Sequence, residues 1–436
     1  MNALGNLFRR LLSGSIINLG IRASTLFLRF ALSFYIVSQM GLPAAGIYGL
    51  AIGAVGLAPA TLGWGLNYYV ARQVVGQDPA QSAALIRNRI VVTLGSLAAM
   101  TCVAAPVLLW LAPPEIRTLY FLILILVWLE TLALDIYMPM IGLEMAVQAN
   151  IMVFIRSAAW IPVVVALGIW SAAFRTLDAV FIGWIASHFV ALALLPFFLR
   201  QWPVSTALST PVTLGWARER VSRYWYIYLS DVSIVGLVYV DRYIVSFLLG
   251  LVATGIYSFY WSITNALQTL MMTAVVQVAL PRMVKAFRSG DPAAWRAELG
   301  HQILKTAGFA LVLSVAIYGM TEAIIQFSPP GRFPVARPLF LLLLAAAVVR
   351  SCSDLLNVGI TSSGNDRHYA VTNLAGVVLT VVLSAVCLSL FGLIGAGISS
   401  LATAGILVVM RLYCLKLSLK DVAGDQGAIA AIRKGA

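Results

Sequence analysis

The chain has 436 residues, of which 61% are hydrophobic and only 10% are charged, and its mean hydropathy is +0.94. Soluble domains carry about a quarter of their residues as Asp, Glu, Lys and Arg, so this composition excludes a soluble protein. The net charge of +13 does not indicate a nucleic-acid partner, because the basic residues form short clusters between apolar runs. The four cysteines form no CxxC pair and the three histidines are far apart, so no metal site, catalytic constellation or cofactor is predicted.

Apolar runs long enough to cross about 30 Å of hydrocarbon recur along the whole chain. The basic Arg9 and Arg10 before the first run resemble a signal peptide, but Arg22 and Arg29 within it favour a retained span. The sequence therefore predicts an all-α polytopic membrane protein of about twelve helices in two sets of six. The predicted spans cover roughly 15–38, 47–71, 90–111, 118–140, 150–170, 177–199, 224–248, 253–280, 303–325, 338–360, 369–390 and 394–415.

The basic residues predict the orientation, because loops on the cytoplasmic side of membrane proteins are rich in Lys and Arg. With the N-terminus inside, one side carries most of them, including Arg89 and Arg411, whereas the other side carries Arg117, Arg175, Arg332 and Arg337. Both termini are thus predicted to be cytoplasmic, in a bacterial inner membrane. The predicted domains are a lobe over 1–200, a cytoplasmic linker over 201–223, a lobe over 224–416 and a cytoplasmic tail over 417–436.

The two halves carry a similar turn after their first span. Gly41, Gly46 and Tyr48 recur as Gly250, Gly255 and Tyr257, each pair separated by 209 residues (250 minus 41, for example). Both turns fall on the same predicted side, so the repeat is parallel. Transporters built this way hold substrate between their halves.

Ionisable residues within the spans are the candidate site residues, because a charge at mid-membrane costs about 2.5–3.5 kcal/mol and usually faces a cavity or a partner. Arginines bind diphosphate oxygens in bidentate fashion, which suits an anionic headgroup. Some could instead be structural: Arg350 could pair with Asp354 at i,i+4 spacing, and Arg156 could snorkel to the interface. The predicted substrate-binding residues are Arg22, Arg29, Arg156 and Arg350, and the predicted ion-coupling or gating residues are Glu130, Asp231 and Asp354.

Short motifs in order along the chain resemble the Wzx-type polysaccharide flippases of the multidrug/oligosaccharidyl-lipid/polysaccharide (MOP) superfamily. They are the stretches 41–48, 62–67, 241–257, 280–282, 359–367 and 391–397. The resemblance implies a two-lobed exporter without enzymatic activity that moves undecaprenyl-diphosphate-linked oligosaccharides to the periplasmic leaflet, for O-antigen, capsule or exopolysaccharide synthesis. It also implies a cationic cavity. Because such a substrate is anionic, we expect its outward movement to be coupled to the membrane potential or to counterflow of a proton or sodium ion. Whether a polysaccharide polymerase or export protein is a partner stays open.

Three alternatives stay open at this point. An ion-coupled multidrug exporter of the same superfamily would need an acidic or aromatic cavity for cationic drugs. A lipid II flippase of the superfamily usually has two further C-terminal spans. A membrane glycosyltransferase or O-antigen ligase would need a long outer loop with histidines, whereas the stretch 326–337 is short and has none.

Overall fold

The structure is a computed structural model that describes residues 14–111, 114–200, 202–288, 292–362 and 365–434. Arg9 and Arg10, which contributed to the predicted orientation, lie outside these residues. Throughout the described ranges the regular structure is helical and no strand occurs, which confirms the predicted all-α class.

The helices follow one another with short connections. In the first half they are Gly14–Met40, Leu42–Leu62, Leu66–Gln73, Pro79–Leu111, Pro114–Gly142, Ala146–Phe154, Ile161–Trp170, Leu177–Phe198 and Val204–Ser209, with a π-helical turn at Ile155–Ala159 and a 3₁₀ turn at Ala172–Phe174. They continue as Gly215–Met271, Gln277–Arg288, Pro292–Gln326, Arg337–Ser362, Asp366–Phe391 and Leu393–Lys434, with a second π-helical turn at Met272–Val276.

Within the described ranges, 11 helical stretches are long and apolar enough to cross a membrane. The stretch Tyr228–Met271 has 44 residues and covers both the seventh and the eighth predicted spans. At about 1.5 Å per residue it is about 66 Å long, which is enough for two crossings of a core about 30 Å thick. We number the spans from the first, Gly20–Met40, to the twelfth, Leu393–Leu417, and count this stretch as the seventh and eighth.

A glycine with a positive φ marks the corresponding turn in each half. Gly41 has φ 86° between the first and second spans, and Gly250 has φ 80° within Tyr228–Met271. Right-handed helices require negative φ, so Gly250 turns the chain inside a stretch that is otherwise helical. Gly41 and Gly250 therefore share a positive φ, and the repeated tyrosines, Tyr48 and Tyr257, are both buried.

The chain divides into two compact units, residues 1–235 and 236–436. In the first unit the fourth span packs against the second and the sixth, and in the second unit the twelfth packs against the tenth and the eleventh. One core of the second unit includes Met283, Trp295, Leu355 and Ile360, all 1% exposed or less. It lies where the helix Gln277–Arg288 meets the ninth and tenth spans.

The polar stretch between the halves is hydrogen-bonded to the first unit. Arg87 donates to the carbonyl oxygens of Thr210 at 2.5 Å and of Pro211 at 3.1 Å. Its neighbour Asn88 donates to the Thr213 hydroxyl at 3.1 Å. Hydrogen bonds therefore attach residues 210–213 to the beginning of the third span.

Aromatic contacts continue this attachment into the seventh span. Trp216 stacks on Tyr69, with ring centroids 5.9 Å apart, and Tyr228 stacks on Trp64 at 5.4 Å. The Tyr228 hydroxyl also donates to the Thr61 carbonyl at 2.8 Å. The segment from Thr210 to Tyr228 thus packs along the end of the second span and the short helix after it.

Substitution of Gly250 by alanine should destabilise the protein by about 1 kcal/mol, because an L-residue pays a steric penalty in the left-handed region. An added Cβ meets no atom within 4 Å at Gly250, so the expected effect comes from the backbone alone. Gly319 is the matched control, since it has the same open surroundings but an ordinary helical φ. Thermal unfolding in detergent should show a lower midpoint for Gly250→Ala and an unchanged or higher one for Gly319→Ala. Equal midpoints would contradict the assigned turn.

Candidate functional site

Four ionisable side chains of the first unit lie at the same depth along their helices. The midpoints of the first, fourth, fifth and sixth spans fall near residues 30, 130, 158 and 188. Arg29, Glu130, Arg156 and His188 each lie within two residues of these midpoints. Spans of similar length that cross the same bilayer place such residues in the hydrocarbon centre, where uncompensated charge is most costly.

A π-helical turn positions Arg156. The fifth span changes from α to π geometry at Ile155–Ala159, and Pro162 follows in the next helical segment. In the i→i−5 register of a π-helix the N–H opposite the Ser157 carbonyl would belong to residue 162, and proline has none. The Ser157 carbonyl instead accepts from Arg29 Nε at 3.3 Å, and the Arg156 carbonyl accepts from the Ser187 hydroxyl at 3.0 Å.

Glu130 connects three spans. Its carboxylate pairs through one oxygen with the Arg156 guanidinium and through the other with His188 Nε2, at 3.0 Å. The Glu130 side chain is 19% exposed, whereas those of Arg156 and His188 are 9% and 2% exposed. We name Arg29, Glu130, Arg156 and His188 the central cluster; its two guanidinium groups outnumber its one carboxylate.

The predicted residues Arg29, Arg156 and Glu130 are therefore brought together. Arg156 does not snorkel, because burial and the Glu130 carboxylate hold it inside the unit. His188 was not predicted as a site residue. A histidine at the middle of an apolar run is the signal in the sequence that could have found it.

A second ion pair of the first unit lies closer to the end of the fourth span. Arg89 Nη2 lies 3.1 Å from Asp135 Oδ1, and both side chains are 0% exposed. Arg89 also donates to Asn67 Oδ1 at 3.0 Å, and the Thr93 hydroxyl donates to Asp135. The sequence placed Arg89 among cytoplasmic loop residues; the structure instead buries it in a pair between the third and fourth spans.

In the second unit Asp354 pairs with a different arginine from the one predicted. Arg411 Nη1 lies 3.3 Å from Asp354 Oδ1 and donates to the Ser353 hydroxyl at 2.8 Å, while Arg411 Nη2 donates to Asn373 Oδ1 at 3.1 Å. Arg350 also interacts electrostatically with Asp354, but the ion pair that the structure shows for Asp354 is the one with Arg411. Arg411 was assigned to the cytoplasmic side, yet it is 3% exposed and joins the tenth, eleventh and twelfth spans.

Asp241 and Arg242 are buried, at 4% and 1% exposure, and the Arg242 backbone N–H donates to Asp241 Oδ1 at 2.8 Å. Asp241 accepts a hydrogen bond from the Tyr257 hydroxyl. The Arg242 guanidinium lies 4.1 Å from the centroid of the Trp261 ring and 4.9 Å from that of Tyr239. Such cation–π contacts stabilise a desolvated guanidinium by about 2 kcal/mol.

The remaining predicted residues, Arg350, Arg22 and Asp231, lie outside the central cluster. Arg350 is partly exposed on the tenth span and interacts electrostatically with Asp241 and Asp354. Arg22 lies on the same helix as Arg29, two turns earlier, as the spacing predicted. Asp231 is partly exposed at the beginning of the seventh span, and across the described ranges no residue forms an ion pair with it within 4 Å.

Metal binding was not predicted from the sequence. Among the residues that the structure describes, no group of three or more His, Cys, Asp or Glu side chains could hold a metal ion. The carboxylates of Glu130, Asp135 and Asp354 each pair with an arginine instead.

Comparison with known proteins identifies the fold. No family model matches the chain, and no curated protein matches it. Among solved structures, an inward-facing multidrug resistance MATE family transporter of the MOP superfamily has a TM-score of 0.71 at 16% identity, covering 93% of this chain and 99% of that one. The lipid II flippase MurJ, in an inward closed conformation, has a TM-score of 0.72 at 12% identity, covering 92% and 87%.

A mutant of the Vibrio cholerae MATE transporter VcmN also matches, with a TM-score of 0.58 at 14% identity over 97% of this chain and 99% of that one. The chain therefore has the two-lobed helical fold of MOP-superfamily transporters, as the sequence predicted. All three of these neighbours are named as transporters or flippases. Wzx-type flippases are not among them, so membership of that family stays a prediction.

The buried Arg89–Asp135 pair should behave as a structural unit. Asp135→Leu should lower the free energy of unfolding by about 3–5 kcal/mol, because it leaves the Arg89 charge buried without its partner. The double variant Arg89→Met with Asp135→Leu should recover much of that loss. Yield and thermal stability in detergent measure the effect, and a double variant no better than Asp135→Leu would contradict the assignment.

Proposed function

We propose that this protein is a flippase that moves a lipid-linked oligosaccharide diphosphate from the cytoplasmic to the periplasmic leaflet. The observation that carries the proposal is the central cluster, in which Arg29 and Arg156 lie together at mid-membrane depth with only one carboxylate, that of Glu130. Two guanidinium groups so deep in a transporter fold are chemically suited to an anion. The shared fold of MurJ, named as a lipid II flippase, is consistent with such a substrate.

The barrier that such a protein lowers is the cost of moving a sugar and diphosphate headgroup through hydrocarbon. Arg29 is exposed, and its one described hydrogen bond is from Nε to the Ser157 carbonyl. Its other guanidinium N–H groups are therefore donors for phosphate oxygens. Arg22 lies on the same face of the first span as Arg29. Within the second unit, Arg350 is a partly exposed guanidinium that we propose as a further substrate contact. No covalent chemistry is required of any of them.

The polyprenyl carrier is proposed to be undecaprenyl, in a bacterial inner membrane. Because the substrate is anionic, its outward movement would be coupled to the membrane potential or to counterflow of a proton or sodium ion, with Glu130, Asp231 and Asp354 as the proposed coupling or gating groups. O-antigen, capsule or exopolysaccharide synthesis would supply the substrate, and a polymerase or export partner would take it on.

A multidrug exporter is the second candidate, favoured by the MATE transporters among the structural neighbours. Cationic drugs require carboxylates that arginine does not already neutralise. Glu130, Asp135 and Asp354 each pair with an arginine in the described structure. Asp231 is the acidic residue that would serve this candidate best.

Arg29→Ala should reduce transbilayer movement of a labelled polyprenyl-diphosphate oligosaccharide in proteoliposomes at least about tenfold, because hydrogen bonds to a charged group contribute about 1.5–3 kcal/mol. Arg29→Lys should retain part of the activity, since lysine keeps the charge but loses the bidentate geometry. Arg332→Ala is the control, because it removes an equal charge from an exposed loop residue.

Wild-type movement that is lost in Arg29→Ala and kept in Arg332→Ala would support both the substrate and the site. Normal movement by a folded Arg29→Ala variant would remove Arg29 from the site. If the wild type moves no lipid-linked sugar but exports a cationic dye, and Asp231→Asn abolishes that export, the multidrug candidate replaces the flippase.

A further inference from the structure

His188 has both of its ring nitrogens engaged. Nδ1 lies 3.1 Å from the backbone carbonyl oxygen of Trp184, one turn earlier on the sixth span, and Nε2 lies 3.0 Å from Glu130 Oε2. A carbonyl oxygen only accepts hydrogen bonds, so Nδ1 must carry a proton in this arrangement. The tautomer of a neutral His188 is thereby fixed as the one protonated on Nδ1.

That tautomer makes the contact with Glu130 depend on one further proton. Neutral imidazole protonated on Nδ1 presents a lone pair at Nε2, and an ionised carboxylate also presents lone pairs. The two atoms at 3.0 Å attract each other only when a proton lies between them, on Nε2 or on Oε2. The contact is therefore favourable in the state in which the pair holds one shared proton.

The groups around this pair come from every span packed against it. The fifth span contributes Arg156, which holds the other carboxylate oxygen, and the first contributes Arg29 through the Ser157 carbonyl. Tyr48 of the second span interacts electrostatically with Arg29. On the fourth span Asp135 already pairs with Arg89 of the third, and Tyr137 lines the cavity described next.

A small cavity adjoins the pair. It lies between the fourth, fifth and sixth spans, has room for about one water molecule, and is walled by Arg156 and His188 among mainly apolar side chains. Of the pair, His188 lines this cavity, so a water molecule placed there would lie beside the imidazole ring. His188 is therefore buried, with a side chain only 2% exposed, and also borders the cavity.

We propose that Glu130 and His188 form a one-proton site that sets the charge available to an anion at Arg156. With the proton bound, the charges of the pair cancel and Arg156 adds one positive charge. Without it, Glu130 is fully anionic, neutralises Arg156 and competes with the anion for the same guanidinium. This inference rests on the proposed function for its anion, whereas the proton site itself rests on the contacts of His188 alone.

The proton can be observed directly, without any substrate. The chain has three histidines, so ¹⁵N-histidine labelling gives few signals, and His188→Gln identifies the one from His188. We expect Nδ1 of His188 to be protonated throughout the range from about pH 5.5 to about pH 8, with Nε2 or Glu130 gaining a proton as the pH falls. An infrared carboxyl band that changes with pH and is lost in Glu130→Gln would assign the second position.

The consequence for the anion can be measured with farnesyl diphosphate as the probe. Its affinity for wild-type protein should increase about tenfold from about pH 8 to about pH 5.5. His188→Gln keeps a hydrogen-bond donor towards Glu130 without titrating, so its affinity should vary little with pH. His301→Gln, which changes an exposed histidine of the ninth span, should retain the wild-type profile.

The outcomes separate the two hypotheses. An Nε2 without a proton beside an ionised Glu130 at every pH would overturn the proton site. Measurable binding with the same pH profile in wild type and His188→Gln would overturn the effect of that site on the anion. Spectroscopic detection of the proton without binding of farnesyl diphosphate at any pH would instead support the proton site and contradict the proposed function.

Discussion

The pairing of charges between helices inside the membrane is the constraint on which this structure depends. Membrane helices gain little from apolar contact with one another, because lipid tails are as apolar as leucine, so polar contacts contribute specificity. Glu130 joins the fourth span to the fifth and sixth, Arg89 joins the third to the fourth, and Arg411 joins the twelfth to the tenth. Each pair fixes the rotation of its helices as well as their proximity, because a carboxylate and a guanidinium must face each other.

The same pairing determines what chemistry is left for a ligand. A cluster whose charges cancelled fully would hold helices together but would have no net charge with which to attract a ligand. The central cluster has an excess of guanidinium over carboxylate, and the π-helical turn at Ile155–Ala159 frees a backbone carbonyl that orients Arg29. The residues that hold these helices together are therefore the same residues to which the anion site is assigned in the proposal. In the proposed site, a change in protonation would alter helix packing and anion affinity together.

The sequence predicted the features that depend on local composition, namely the helical class, the positions of most spans and the repeated glycine turns. It could not predict partners that lie far apart in sequence. Arg350 and Asp354 satisfied an i,i+4 rule, yet Asp354 pairs with Arg411, 57 residues away. Arg89 and Arg411 were assigned to the cytoplasmic side because clusters of basic residues near span ends are typical of cytoplasmic segments, and only packing shows that they are buried. His188 had no local signal beyond its position in the middle of a span.

The attachment of residues 210–228 to the first unit has a consequence for how the two halves can be separated. The compact units divide at Val235, inside the seventh span, and not in the polar stretch that precedes it. A gene split before Trp216 would leave the stacking partners of Tyr69 and Trp64 on the other fragment, so the first fragment would lose contacts that belong to its own fold. A fluorescent reporter inserted there would likewise follow the first half, and its signal would describe that half alone.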